Sequence, residues 1–353
     1  MAEMNSRERI VASLERKEPD RVPLLEWGID PKVMEAIHPG LGFLDFMEKI
    51  DLDAVGTNFS YDLKTSAQVL DPERRIIRDK WGVVRGFTTE LIAFPLEGPI
   101  KSEADLKSYT PPDPQAEGAL GILPEVIARF KGKKAVFWNA RDGFVNPANL
   151  RGMENLLLDY VENPRLAHEV TELCAEYEIA LARRAIQAGA DFVMLGDDYA
   201  YKTGPLMSPA HFRQFIFPVL KRAVKAIHEA GGYVVKHTDG NIWPILEMIV
   251  ESGVDAINPL EPVAGMDIGE VKSKYGHKVA VIGNIDCGDL LCRRPVEAVE
   301  QAVKECIRKA SPGGGHILSS SNTIHSSVRP ENFLAMIRTA REYGQYPIHL
   351  GRL

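Results

Sequence analysis

Short apolar or β-branched runs alternate with longer segments of helical period along most of the chain, and no other feature restricts the fold as strongly. The alternation is the signature of repeated βα units. Strand candidates read at Val22–Trp27, Asp53–Thr57, Ala135–Asn139, Asp191–Gly196, Tyr233–His237, Asp255–Asn258, Val279–Gly283 and His316–Ser319. A helix from the N-cap candidate Asn5 to about Leu14 precedes them, stopped by "KEPDRVP". The clearest later helix is "SPAHFRQFIFPVLKRAVKAIHEAGG", with Ser208 as cap, Pro209 in the first turn and Gly231 as stop.

Eight strands, each followed by a helix, give the arithmetic of an α/β chain of the (β/α)8 TIM-barrel class. An open doubly wound sheet shares the local pattern but usually carries a glycine-rich phosphate turn after its first strand, and no GxGxxG follows Val22–Trp27. One segment breaks the repeat. Residues 71–100 alternate apolar and polar positions around Gly82 and Gly86 and read as a β-hairpin insertion between strands two and three, placed to cover one mouth of the barrel. The expectation is a single TIM-barrel domain over residues 1–353, with an N-terminal helix and this excursion.

The 353 residues carry 49 acidic against 42 basic side chains, a net charge of −7. That balance argues against nucleic acid as the main partner, since duplex binding wants a basic face to displace condensed counterions. Cysteines at 174, 287, 292 and 306 form no CxxC pair and read as reduced thiols. The N-terminus has no uninterrupted apolar run of signal-peptide type, and no stretch reaches the about 20 apolar residues of a membrane helix. A cytoplasmic protein with no membrane association is expected; a homodimer is left open.

In a βα barrel the chemistry sits at the C-terminal ends of the strands. Those positions are polar here: Trp27 after the first strand, Asn58 and Tyr61 after the second, Asn139, Arg141 and Asp142 after the third, Asp197, Asp198 and Tyr199 after the fourth. His237 and Asp239 follow the fifth, Asn258 and Glu261 the sixth, Asn284 and Asp286 the seventh, and Ser319 to Asn322 with His325 the eighth. Caps and turns use the same residue types, so each alone has a structural reading. Two groups point further. In "VVKHTDGN", His237 and Asp239 stand two apart and face one side, where they chelate a divalent metal with Glu261 as third ligand, or hydrogen-bond a polar substrate. In "GDDYAY", Asp197 and Asp198 are adjacent, so only one of them need face the cup. Walker A, GxSxG, HExxH and Rossmann motifs are missing from the sequence.

Several long segments then resemble a known family. "RERIVASLERKEPDRVP", "LRGMENLLLDYVENP", "LMSPAHFRQFIFPVLKRAVKAIHEAGGYVVKHTDGN", "INPLEP", "VIGNID" and "SSSNTIHSSVRPENFLAMIRTAREYG" resemble the uroporphyrinogen decarboxylase superfamily, which also contains zinc-dependent methyl-corrinoid methyltransferases. The decarboxylases carry an arginine-rich "RQAGRY"-like segment after the first strand that grips substrate carboxylates. The matching stretch here, "LLEWGIDPKV", has no arginine, and "SNTI" replaces their "GHGI". The methyltransferase branch is the better match, although its zinc motif is His-x-Cys with a distant Cys. Here His237 matches the histidine, Asp239 stands at the first cysteine and Asn322 or a neighbour at the second.

The resemblance implies a corrinoid-dependent methyltransferase that moves a methyl group from a small methylated donor, such as a methoxyaromatic undergoing O-demethylation, to cobalamin carried by a separate corrinoid protein. Its alternative is a decarboxylase of a porphyrinogen or a smaller carboxylated substrate. On the first reading His237, Asp239 and Glu261 hold zinc, with His237, Asp239, Asp197 and Asp198 as the catalytic set. Trp27, Asn58, Tyr61, Asn139, Arg141, Tyr199, Asn284, Asn322 and His325 then surround the donor. A binding module that keeps the barrel without chemistry stands as a third reading, supported by the missing cysteines.

Overall fold

The computed structural model describes residues 3–57, 68–88 and 93–353. A parallel sheet curls into the barrel from strands β1 (Ala54–Gly56), β6 (Ala135–Ala140), β7 (Phe192–Gly196), β10 (Tyr233–His237), β11 (Ala256–Asn258), β12 (Ala280–Ile285) and β13 (His316–Ser320), paired in that order. Between β1 and β6 lie β2 (Gln68–Asp71), β3 (Ile76–Arg78), β4 (Val84–Gly86) and β5 (Phe94–Glu97), an antiparallel sheet of their own. The expected hairpin excursion is thus four-stranded. It is fastened to the barrel flank by Trp81, whose ring meets Tyr177 edge-on at 4.8 Å, and by Ile100 N donating to Leu150 O at 3.0 Å. A two-residue pair, β8 (Ala200–Tyr201) with β9 (Gly204–Pro205), follows β7.

The first expected strand, Val22–Trp27, does not form a full ladder. Leu24 bridges Leu318 in parallel; Leu25 N donates to Leu318 O at 3.1 Å and Leu318 N to Pro23 O at 2.9 Å. On its other side Asp53 N donates to Leu24 O at 2.7 Å. Pro23 has no N–H to give, so the ladder is short, but the segment still occupies the eighth place and closes the ring between β13 and β1. The long helix expected from Ser208 is broken into Pro209–His211, a π-turn at Phe212–Ile216 and Phe217–Glu229. Pro218 lacks the N–H that a regular helix would have donated four residues back, and the wider turn accommodates it.

Inside the barrel, period two sends Leu25, Ala54, Ala135, Phe137, Phe192, Met194, Val235, Ala256, Ala280, Ile282 and Ile317 to one buried cluster. Phe137 and Phe192 stack at 5.0 Å, and Gly56 must be glycine because a Cβ there would lie 2.2 Å from the Phe137 ring. The helix Ser6–Leu14 adds Ile10 and Leu14 to that cluster and so plugs the N-terminal mouth. Its start is fixed by a capping box: Asn5 accepts from Glu8 N at 3.0 Å while Glu8 accepts from Asn5 N at 2.8 Å.

Asp53, fully buried at the start of β1, ties these parts together. Its carboxylate meets Arg9 at 3.4 Å from the plug helix, Arg21 at 3.2 Å from the closing segment and Arg341 at 3.2 Å from the helix Pro330–Tyr343, and it accepts from Leu24 N at 2.9 Å. Removing it leaves three mostly buried guanidinium groups to share, among the described residues, only Asp20 and Asp51 as counter-charges, with Arg21 no closer than 3.8 Å to Asp51. Asp53→Ala should lower unfolding stability by about 3–5 kcal/mol, read from urea denaturation. A loss below about 1 kcal/mol would mean that the closure does not depend on it.

Candidate functional site

One step beyond the apolar layer, the inward positions turn polar: Trp27, Asn139, Gly196, His237 and Asn258. Trp27 Nε1 donates to Asn139 Oδ1 at 2.7 Å, and Asn139 Nδ2 in turn donates to Thr57 O. Gly196 leaves room for the indole, since a Cβ there would come within 3.0 Å of it and 3.6 Å of the Arg141 guanidinium. The Trp27 ring lies against the His237 imidazole, centroids 3.8 Å apart with a 40° tilt. Those residues form a floor.

His237 is fully buried and orients by its Nδ1, 2.6 Å from Asn258 Oδ1. With that oxygen accepting, Nδ1 carries the proton and Nε2 presents its lone pair. Nε2 has no hydrogen-bond partner among the described residues; it faces Asp239 Oδ1 at 3.6 Å and Asp198 Oδ1 at 3.8 Å. Burial pushes the imidazole down to about 4, so it is neutral at pH 7. Asp239 Oδ1 is likewise buried and unpartnered, while its Oδ2 accepts from Asn322 Nδ2. Burial first, then the nearby charges of Asp198 and Glu261, push Asp239 up to about 8. One donor atom each from Asp198, His237 and Asp239 lies within 4.8 Å of the others, a group able to hold a metal ion.

Glu261 is not in that group. Its Oε2 accepts from Gly240 N at 2.9 Å, shaping the turn after β10, and Asp198 takes the place expected of it. Strand alternation decides between the adjacent aspartates. Asp198 faces the cup, whereas Asp197 lies behind the wall, fully buried, with Oδ2 accepting from Phe144 N at 2.7 Å and Val145 N at 3.0 Å at the start of the helix Val145–Arg151. Asp197, expected in the catalytic set, therefore does not face the cup, and Asp198 is the one of the two that does. Tyr199 is corrected too: its ring is buried behind the wall and its hydroxyl donates to Asp142 Oδ1 at 2.6 Å.

Asn284 also leaves the cup. Its amide donates to Leu260 O at 2.9 Å and it lines an outer cavity with Met266 and Cys306. His325 lies at the mouth, its Nε2 3.0 Å from Cys287 O, in a cavity of about 450 Å3 shared with Glu261, Asn322 and Lys202. Arg141 sits beside Gly196, 3.9 Å from Asp197 Oδ1. Asn58 and Tyr61 lie outside the described residues.

Sequence reasoning named one support without its role and missed two more. Asn258 was visible only as a strand-end amide, and its pairing with His237 depends on the β10–β11 register, where the two are direct partners. Lys236 was hidden inside an apolar run. Glu26 was passed over beside Trp27, yet it is buried with Ser320 N donating to Oε1 at 2.9 Å and Ser320 Oγ to Oε2 at 2.6 Å.

The barrel mouth thus joins an imidazole to two carboxylates over an indole floor, a concave polar site of the kind that small molecules occupy. The uroporphyrinogen decarboxylase (URO-D) family model matches residues 92–343, and the chain belongs to that family. The uroporphyrinogen decarboxylase of Aromatoleum aromaticum is 26% identical over 264 residues, covering 70% of each chain. That of Shewanella amazonensis is 27% identical over 266 residues, 70% of this chain and 72% of the relative. A methyltransferase from Methanosarcina mazei shares the fold with a TM-score of 0.78 over 97% of this chain and 99% of that one, at 19% identity. The curated relatives that this chain matches carry the name of an enzyme, uroporphyrinogen decarboxylase. Among the described residues no helix is long and apolar enough to cross a membrane.

Two pH effects follow. Burial raises Glu26 from 4.5 to about 8, so its ionisation opposes folding: the cost is absent below pH 4.5, grows as pH rises and is complete above about 8. Glu26→Gln should match the parent near pH 4.5 and exceed it by on the order of 2–4 kcal/mol at pH 9, measured by chemical denaturation; equal curves at pH 9 would refute this. Asp239, protonated below about 8, must ionise to ligate a cation. A divalent cation held there would therefore displace about one proton per ion at pH 7 and markedly less at pH 9, as read with an indicator dye in weak buffer.

Proposed function

We propose that this chain is a corrinoid-dependent methyltransferase that moves a methyl group from a small methylated donor, in the first instance a methoxyaromatic, to cobalamin on a separate corrinoid protein docked at the barrel mouth. One observation carries the reading: His237 Nε2 and Asp239 Oδ1 are buried side by side without partners, facing Asp198. Buried polar atoms left unmatched cost stability unless a ligand completes them. A neutral imidazole with two carboxylates suits zinc and leaves a position open for substrate.

Asp198, His237 and Asp239 would hold the ion. Bound there, zinc supplies Lewis acidity toward an ether oxygen as its methyl group departs. The chain's own residues do the rest. Asn258 holds the imidazole in the tautomer that exposes Nε2, and Asn322 holds Asp239. Trp27, pinned by Asn139, offers an apolar face for an aryl ring. The lack of thiolate at positions 239 and 322 fits an oxygen-linked donor better than activation of a thiol.

The second reading, decarboxylation of a porphyrinogen or smaller carboxylated substrate, is favoured by the names of the curated relatives. Against a polycarboxylate stands "LLEWGIDPKV", which has no arginine after the closing segment. The deciding assay mixes zinc-loaded protein, a corrinoid protein reduced to the cob(I) state and a panel of methyl ethers. The expected result is loss of the cob(I)alamin spectrum with a methoxyaromatic, at least 100-fold slower for His237→Ala. No spectral change with any methyl donor, or carbon dioxide release without a corrinoid, would overturn the proposal.

A further inference from the structure

Behind the cup wall lies a charged group that the proposed chemistry does not use. Lys236, completely buried, sits between Val235 and His237 on β10 and points away from the barrel interior. Its ammonium has three N–H bonds to give and finds three acceptors: Asp142 Oδ2 at 2.7 Å, Asp197 O at 3.0 Å and Leu195 O at 3.2 Å. The Tyr199 ring lies 4.0 Å from Nζ, adding a cation–π contact. Asp142 is equally buried and equally satisfied, its Oδ1 accepting from Tyr199 Oη at 2.6 Å and from Gly143 N at 2.5 Å. Burial pushes Asp142 up, but the neighbouring ammonium and the hydrogen bonds from Lys236, Tyr199 and Asp197 together hold it below the usual carboxylate range.

A buried ion pair is a poor source of stability, because desolvating both charges offsets most of their attraction. What this one has is placement. Asp142 follows β6, which carries Asn139; Leu195 O and Asp197 O flank Gly196 at the end of β7, just before Asp198; Lys236 immediately precedes His237 on β10. All three candidate metal donors stand on the two strand ends that this single ammonium joins. The 3.8 Å from His237 Nε2 to Asp198 Oδ1, and the 3.1 Å bond from Asp239 N to that same oxygen, span the β7–β10 seam.

We propose that Lys236, clamped by Asp142 and Tyr199, is a positioning residue whose ammonium fixes the β7 and β10 ends so that Asp198, His237 and Asp239 converge on one cation. The inference deepens the metal-site reading above and rests on it for its consequence. The geometry of the seam, however, is testable without any metal.

The experiment uses the full chain, with Lys236→Met/Asp142→Asn, which removes both charges so that neither is left buried alone, and Tyr199→Phe, which deletes only the hydroxyl donated to Asp142. Circular dichroism and the thermal midpoint establish folding. In metal-free protein, amide exchange at Asp239 should accelerate at least tenfold in the double variant and less in Tyr199→Phe, while exchange at Val281 on β12, away from the seam, stays within twofold. Titration with Co(II) should show at least tenfold weaker binding and an altered d–d spectrum. If the double variant folds, or if only Tyr199→Phe does, and Asp239 exchange keeps its ratio to Val281, the strut is refuted. Should the parent take up no Co(II), the metal reading falls while the exchange ratios still decide the role of Lys236.

Discussion

The barrel depends on a carboxylate at its closing seam. Seven strands pair by ladder hydrogen bonds, but the segment around Pro23 cannot offer a full set, and Asp53 compensates by gathering the arginines of the plug helix, the closing segment and the helix Pro330–Tyr343 while accepting from Leu24 N. Multiple counter-charges on one desolvated carboxylate satisfy its lone pairs in a way a single surface pair could not. The polar opposite mouth can then be left unfinished, because the ring is locked from below.

That opposite mouth shows how a strand-based site separates tasks. The inward face of β7 and β10 carries groups with unmatched atoms, Asp198, His237 and Asp239, whereas the outward face carries groups fully engaged with each other, Lys236, Asp142 and Tyr199. Both sets are titratable, the outer one buried and the inner one partly open at Asp198 and Asp239, and their electrostatic settings are opposed. Behind the wall an ammonium favours the ionised form of Asp142; in front, burial and neighbouring carboxylates hold a proton on Asp239, and burial keeps His237 neutral against the pull of Asp198. Unpartnered atoms occur on both sides of the wall, Asp197 Oδ1 behind it and His237 Nε2 with Asp239 Oδ1 in front, but only in front do two of them lie side by side facing a third donor.

Much of this was legible in the sequence. The βα alternation located the seven ladder strands to within two residues at either end, and the Gly82–Gly86 pattern exposed the antiparallel insertion. His237 and Asp239 were readable as a pair because two-residue spacing on a strand fixes a common face. Other choices required three dimensions. Whether Asp197 or Asp198 enters the cup turns on the phase of β7, which either residue's neighbours would permit. The Asn258–His237 and Lys236–Asp142 contacts join residues 21 and 94 positions apart, set by register and strand order that local composition does not encode. Glu261 lies outside the three-donor group, with one of its oxygens taken up by a turn amide, a placement the sequence does not encode.

The division of labour between Asp197 and Asp198 has a further consequence. Because consecutive residues on β7 serve opposite sides of one wall, a single inserted or deleted residue in that strand would carry the helix-capping carboxylate into the cup and bury the cup's carboxylate against Phe144 and Val145. The chain can therefore change its chemistry by exchanging side chains at fixed positions, but scarcely by altering strand length. Diversification of such a site is confined to substitution, with length variation left to the loops and to insertions such as the sheet between β1 and β6.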